Sequence, residues 1–167
     1  MKAGFKQTEV GEIPEDWTAV NLESIADIDP DNLPSSTPAD FSFNYIALED
    51  VDVGFLRKYS AEVFCSAPSR ARRRLLRGDI LVSTVRPNLK SHLFFLCNGG
   101  RWVCSTGFSV VRCKKDMSIG GYVFSHLFTS NVAKQIEALL TGSNYPAINR
   151  KDVCALCIPL PPTLAEQ

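Results

Sequence analysis

No stretch of this chain is apolar for long enough to cross a bilayer, which takes about 20 consecutive apolar residues. The opening MKAGFKQTEVGEIPEDW also lacks the apolar core of a secretory signal. A cytoplasmic protein with no membrane partner is expected. Histidine is scarce, at His92 and His126 only. Cys154-Ala-Leu-Cys157 has CxxC spacing but no second pair, and both imidazoles are distant in sequence, so the four ligands of a structural zinc are not at hand. Packed thiols are the default there, and His126 reads as a neighbour of the core. With no secretory signal, all six cysteines (65, 97, 104, 113, 154 and 157) are expected reduced. No metal and no cofactor are expected. There is no P-loop and no GxGxxG after a strand. The acidic spacing followed by lysine that DNA-cutting enzymes use is missing. So is the Asn/Asp-Pro-Pro-aromatic tetrad of adenine methyltransferases, since Pro161-Pro162 lies in LPPT. Only scattered Ser, His and Asp speak for a small hydrolase.

What is present is an ordinary globular composition, 45% hydrophobic and 22% charged over 167 residues, enough for one domain with a real core. The net charge of zero conceals an asymmetry. Residues 1–62 hold 4 Lys+Arg against 13 Asp+Glu, a net of −9, and residues 63–167 hold 14 against 5, a net of +9. Such a split points to nucleic-acid contact by the basic part. The plain alternative is that the two parts fold together and neutralise one another.

Along the chain, GEIPEDW reads as a turn delivering Trp17 to the core, and Thr18 or Asn21 as the cap of a short helix through Asp27. Residues 29–40, rich in Pro, Ser and Asp, form a loop. Residues 41–53 alternate as a strand, ended by Gly54, with Phe55-Leu56 as its return. Ser66 and Pro68 open a predicted short helix that Gly78 closes, with Ala71, Leu75 and Leu76 on one side and arginines outward. Strands are predicted at 80–85, 93–97 and 108–113. From 122 to 140 the spacing turns helical, with Phe124, Leu127, Phe128, Val132, Ile136 and Leu139 on one face and a division near Ser130. A polar loop follows, then a turn capped by Asn149 and a strand at 154–158. TLAEQ reads as the first turn of a further helix.

Two stretches carry the candidate chemistry. In SRARRRLLRGDILVSTVRPNLK, Arg70, Arg72, Arg73, Arg74 and Arg77 could grip phosphates, or form a solvated face, or serve the acidic first third. Arg86, Asn88 and Lys90 stand at a tip stiffened by Pro87. Arg forks onto guanine, Asn pairs with adenine and Lys holds phosphate; the alternative is that Arg86 pairs with Asp79 and serves the fold. In LTGSNYPAINRKDV, Gly142 permits a tight backbone. Ser143, Asn144 and Tyr145 supply donors, acceptors and a stacking ring, and Arg150 and Lys151 could meet phosphate. Here the alternative is a loop whose Tyr145 packs under the strands while Asn149 only caps.

GEIPEDW, NYIALEDV, RGDILVSTVRPN, STGFSVVR, LTGSNYPAINRKDV and IPLPPTLAEQ, in this order and spacing, resemble the specificity (S) subunit of type I restriction–modification enzymes over about residues 11–167. The resemblance implies one target-recognition domain, 1–167. Its expected fold is α+β, with a curved mixed sheet, a helical layer and loops gathered on one basic face. It implies a non-catalytic protein that reads double-stranded DNA. Methyl transfer and cleavage would belong to partner methyltransferase and restriction subunits, where the flipped adenine is held. Family members carry two recognition domains joined by long helices. One is found here, so a second domain or a homodimer through the following helix is expected. The competing reading is a scaffold that docks partner chains with little DNA affinity of its own.

Overall fold

Among the described residues, 4–142 and 144–167 of this computed structural model, the chain forms fourteen short strands and four helices. A hairpin of β1 (Phe5–Thr8) and β2 (Gly11–Pro14) leads into β3 (Thr18–Asn21), α1 (Leu22–Ile25) and β4 (Ala26–Ile28). The helix is shorter than predicted. Asn21 stands at its N-cap without a side-chain bond, and Ala26 is already extended. Ile13, not Trp17, is the buried residue of the opening segment; Trp17 is half-buried.

After the 29–40 loop comes β5 (Ser42–Ile46). The strand predicted to Val53 breaks at a 3-10 turn, Leu48–Asp50, where the Asp50 carboxylate accepts from the Ala47 amide at 2.8 Å. Then β6 (Val51–Asp52) turns through Gly54, at φ 83°, into β7 (Phe55–Leu56), the predicted return. Next come β8 (Ser60–Val63), β9 (Ala71–Leu75), β10 (Ile80–Ser83) and β11 (Leu93–Phe94). They are followed by β12 (Trp102–Ser105) and β13 (Phe108–Cys113). The helices α2 (Gly120–His126) and α3 (Ser130–Leu139) divide where expected, although Thr129 is the capping side chain. Finally α4 (Arg150–Ala155) precedes β14 (Cys157–Leu160), so Cys154 is helical rather than in a strand.

The fold is α+β, and its strands are divided among several sheets. One four-stranded sheet runs β11-β10-β13-β4, all antiparallel. The other runs β8-β5-β12-β9 and is mixed, because β5 and β12 are parallel. Strand β10 explains how the layers join. All four of its residues are buried, as expected of a strand covered on both faces. Ile80 and Val82 pack with the helices (Val123, Leu127, Val132, Ile136), while Leu81 packs with Phe95, Trp102 and Phe108 on the other side. The six apolar residues predicted on the face of α2 and α3 all join the first of these clusters.

Where a helix was predicted over 66–77, the chain makes turns over 66–70 and then the strand β9. Its spacing suited either structure, and β12 supplies an apolar partner, pairing Trp102 with Leu75 and Cys104 with Arg73. Gly78 keeps the positive φ (95°) expected of it, but turns the chain from one strand into the next.

Candidate nucleic-acid interface

The tip begins where β10 ends. The Ser83 amide donates to His92 Nδ1 at 3.0 Å, and the Ser83 hydroxyl to the Val85 carbonyl at 2.9 Å. Arg86 then takes φ 48°, Pro87–Leu89 make a 3-10 turn, and Lys90 takes φ 56°. Two non-glycine residues in the left-handed region cost about 1 kcal/mol each, and persist only where their surroundings hold them. Here buried Pro87 anchors the turn, and the Leu89 and Lys90 amides donate to the Arg86 and Pro87 carbonyls at 3.0 Å each. Arg86 and Asn88 are exposed as expected. Lys90 is not: half-buried, its Nζ lies 3.4 Å from the Phe128 carbonyl, turned toward the helices.

The second stretch folds back onto this tip. Val85 and Ala147 form an isolated bridge, as do Thr141 and Ala147. The Arg86 amide donates to the Pro146 carbonyl at 2.7 Å, and the Ile148 amide to the Thr84 carbonyl at 2.9 Å. The Arg86 guanidinium lies 4.7 Å from the centre of the Tyr145 ring. Tyr145 is 70% exposed, so it does not pack under the strands. Gly142 is required, since a Cβ there would sit 3.1 Å from the Tyr145 carbonyl at φ 87°. Asn144 is exposed, and Ser143 lies outside the described residues. Asn149 caps α4, accepting from the Lys151 and Asp152 amides, while the Asp152 carboxylate accepts from the Asn149 amide at 2.8 Å. Arg150 donates to the Ile28 carbonyl at 3.1 Å, and the Lys151 side chain is exposed.

Extended backbone disperses the arginine run. A helix would hold Ala71 within about 6 Å of Leu75 along its axis, whereas the strand sets them roughly 13 Å apart. Strand alternation turns Arg73 inward with Leu75. Its Nε donates to the Phe108 carbonyl at 2.9 Å, and its guanidinium pairs with Asp29 at 3.2 Å. Arg74 pairs with Asp31 at 3.5 Å, Arg72 covers the Phe64 ring at 4.9 Å, and Arg77 donates to the Leu96 carbonyl. Arg70 is exposed, with no ion pair among the described residues. Part of the acidic first third therefore neutralises arginines from the basic part, as the plain alternative held.

Asp29 is the centre of this neutralisation, and composition could not have marked it. Held at φ 54° and only 3% exposed, it accepts from the Val110 amide at 2.7 Å and the Ser109 hydroxyl at 3.3 Å, and lies 3.9 Å from Arg150. Asp79, offered above as a partner for Arg86, is instead gripped by Arg112 through two bonds of 2.8 and 2.7 Å. It also accepts from the Leu76 amide at 2.7 Å. Hydrogen bonding to Asp79 raises the Arg112 pKa above its ordinary value.

His92 is fully buried, and burial first, then Lys90, holds its pKa down at about 4. The ring is therefore neutral at pH 7, with Nδ1 accepting and the proton on Nε2. Burial also lowers the pKa of His126. Cys157 Sγ donates to the Glu9 carboxylate at 3.1 Å, and burial and that carboxylate push its pKa up to about 12. All six cysteines are free. Among the described residues no group of three or more His, Cys, Asp or Glu could hold a metal ion, and no helix is long and apolar enough to cross a membrane.

Main-chain bonds draw the exposed candidates to one end of the sheets. The Thr106 amide donates to the Arg70 carbonyl at 2.9 Å, and the Thr84 amide and hydroxyl both donate to the Gly107 carbonyl, at 2.9 and 2.8 Å. Thr84 then bonds Ile148 and Arg86 bonds Pro146, so Arg70, the 106–107 turn, the tip and the 141–149 loop are successive neighbours. Arg77 lies at the far end, beyond the pairing of Leu75 with Trp102.

No family model matches the chain. It is 32% identical over 172 residues to a specificity subunit of Methanocaldococcus jannaschii assigned to the type I restriction enzyme MjaX, covering 98% of this chain and 37% of that protein. A chain solved for the complex assembly and conformational transition of the type I restriction–modification system superposes with a TM-score of 0.81 at 28% identity, over 90% of this chain and 39% of its own. The HsdS subunit of Thermoanaerobacter tengcongensis gives 0.79 at 26% identity, with the same coverage of both chains. The S subunit of M. genitalium, at 0.52 and 14% identity, over 87% of this chain and 34% of that one, shares the fold. The chain thus spans well under half the length of the relatives it matches. By sequence and by fold, the chain is similar to one portion of the specificity subunits of type I restriction enzymes.

Proposed function

We propose that this chain reads double-stranded DNA sequence-specifically, as one recognition unit of a type I specificity subunit. It directs methyltransferase and restriction subunits to their target in the cytoplasm and catalyses nothing itself. The observation that carries this reading is the joining of the RPN tip to the 141–149 loop. Two stretches separated by more than 50 residues bring exposed Arg86 against exposed Tyr145, with Asn88 and Asn144 exposed on the same two stretches and Arg70 and Lys151 near along the hydrogen-bonded chain. Base contacts would come from the tip and loop. Phosphate contacts would come from Arg70, Lys151 and the outer edge of Arg150. Arg73, Arg74 and Arg77, occupied by Asp29, Asp31 and the Leu96 carbonyl, serve the fold first.

The competing scaffold reading drew on the acidic first third. Asp29 is buried against Arg73 and Asp31 pairs with Arg74 at the surface, which neutralises part of the acidic surface that reading needs. The test is a titration of the chain against random duplex DNA at several salt concentrations, followed by selection of preferred duplexes. Recognition through several phosphates gives a log–log salt slope of about −0.9 per phosphate neutralised, together with an enriched sequence. No binding at low salt, with capture of a methyltransferase subunit, would overturn it in favour of the scaffold.

A further inference from the structure

We infer that Arg86 and Tyr145 form one unit that reads a guanine, with Arg86 the base-contacting group and Tyr145 a positioning residue. This rests on the DNA-recognition reading above. Most arginines here are committed to the protein. Arg57, Arg73, Arg74 and Arg112 sit in ion pairs, Arg150 donates to the Ile28 carbonyl near Asp29, and Arg72 and Arg77 donate to carbonyls. Arg86 is exposed, and among the described residues its guanidinium meets no carboxylate and no carbonyl. Its face is covered instead, 4.7 Å from the Tyr145 ring centre. A stacked guanidinium keeps its N–H edge free while losing rotational freedom.

The backbone beneath it is equally constrained. Arg86 stands at φ 48°, its amide bonded to the Pro146 carbonyl at 2.7 Å, its neighbour Val85 bridged to Ala147, and Pro87 buried behind it. The residue that receives the Arg86 amide is next to the residue that supplies the ring, so side chain and main chain of Arg86 are set by the same loop.

A phosphate can be held by a mobile charge, as Lys or Arg on flexible stems shows. A fork held at a fixed angle suits two acceptors at fixed positions, and the major-groove edge of guanine, N7 and O6, offers that pair. Arg101 provides the control. It too lies 4.7 Å over a ring, that of Phe41, but it precedes Trp102 at the opposite end of β12 from the 106–107 turn.

The experiment selects a preferred duplex for the full chain, then replaces each guanine in turn with 7-deazaguanine, which deletes N7 alone. At one guanine the replacement should weaken binding by roughly 10- to 100-fold. Arg86→Ala should lose a similar factor and become indifferent to 7-deazaguanine there. Arg86→Lys should retain the salt slope but lose the discrimination. Tyr145→Phe should keep it, Tyr145→Ala should lose much of it, and Arg101→Ala should change nothing. Two results overturn the inference while leaving DNA recognition standing: a selected site in which no guanine responds, or an Arg86→Lys chain that discriminates like the parent. A chain that selects no sequence at all overturns both.

Discussion

Acidification should loosen this domain through His92. The ring is fully buried, its Nδ1 accepts from the Ser83 amide, and its Nε2 proton has no partner among the described residues. Protonation would turn the accepting nitrogen into a donor facing another donor, in a site where the charged form is already disfavoured by burial. Folding therefore depresses the pKa, from an ordinary 6.5 to about 4. A depressed histidine binds fewer protons folded than unfolded. Stability is then fully present above pH 6.5 and is lost as the pH falls from there toward 4. At about 1.4 kcal/mol per pH unit, the gap is worth about 3 kcal/mol, a large share of the 5–15 kcal/mol that usually separates folded from unfolded. Urea unfolding at several values from pH 7.5 to 4.5, followed by tryptophan fluorescence, measures it. His92→Asn supplies a side-chain carbonyl for the Ser83 amide without titrating. The difference between parent and variant isolates the site from the carboxylates and from His126, whose shift has the same sign. A difference that stays flat between pH 7 and 5 would refute the reasoning.

Asp29→Asn should cost about 3 kcal/mol, because it leaves the Arg73 guanidinium, 18% exposed, without its carboxylate; thermal unfolding gives the value, and a loss under 1 kcal/mol would mean that Arg73 finds other partners. Gly120→Ala places a methyl 2.8 Å from the Phe94 ring and 3.2 Å from the Gly78 carbonyl, and should destabilise by 1–3 kcal/mol despite the better helix former; adding Phe94→Leu should recover part of this, and no recovery would locate the clash at the carbonyl. Asn149→Ala strips the cap from α4 and should cost about 1 kcal/mol; if DNA recognition also passes through this end, affinity falls with it, measurable on a selected duplex.

Much of the fold was legible because the local signals agreed with the tertiary result. The apolar run of β10, the face shared by α2 and α3, the Gly54 turn and the Asn149 cap each satisfy a rule spanning a few residues. Residues 71–75 were misread because arginines at mixed spacing satisfy a helix and a strand alike, and only β12, about thirty residues on, chooses between them. The role of Asp29 was invisible for a related reason. One aspartate among several in a polar loop looks like solvent-facing charge until Arg73, Ser109, Val110 and Arg150 close around it.

The candidate site divides in the same way. Sequence alone determined the family resemblance, the α+β class and which residue types could touch DNA, because motif order and side-chain chemistry are properties of the chain as written. Tertiary structure decided which of those residues are free to do so. Charge pairing acts across long separations, holding Arg73 against buried Asp29 and tying exposed Arg74 to Asp31, while the strand carries Arg77 to the far end. The same long-range bonding set Arg86 over Tyr145.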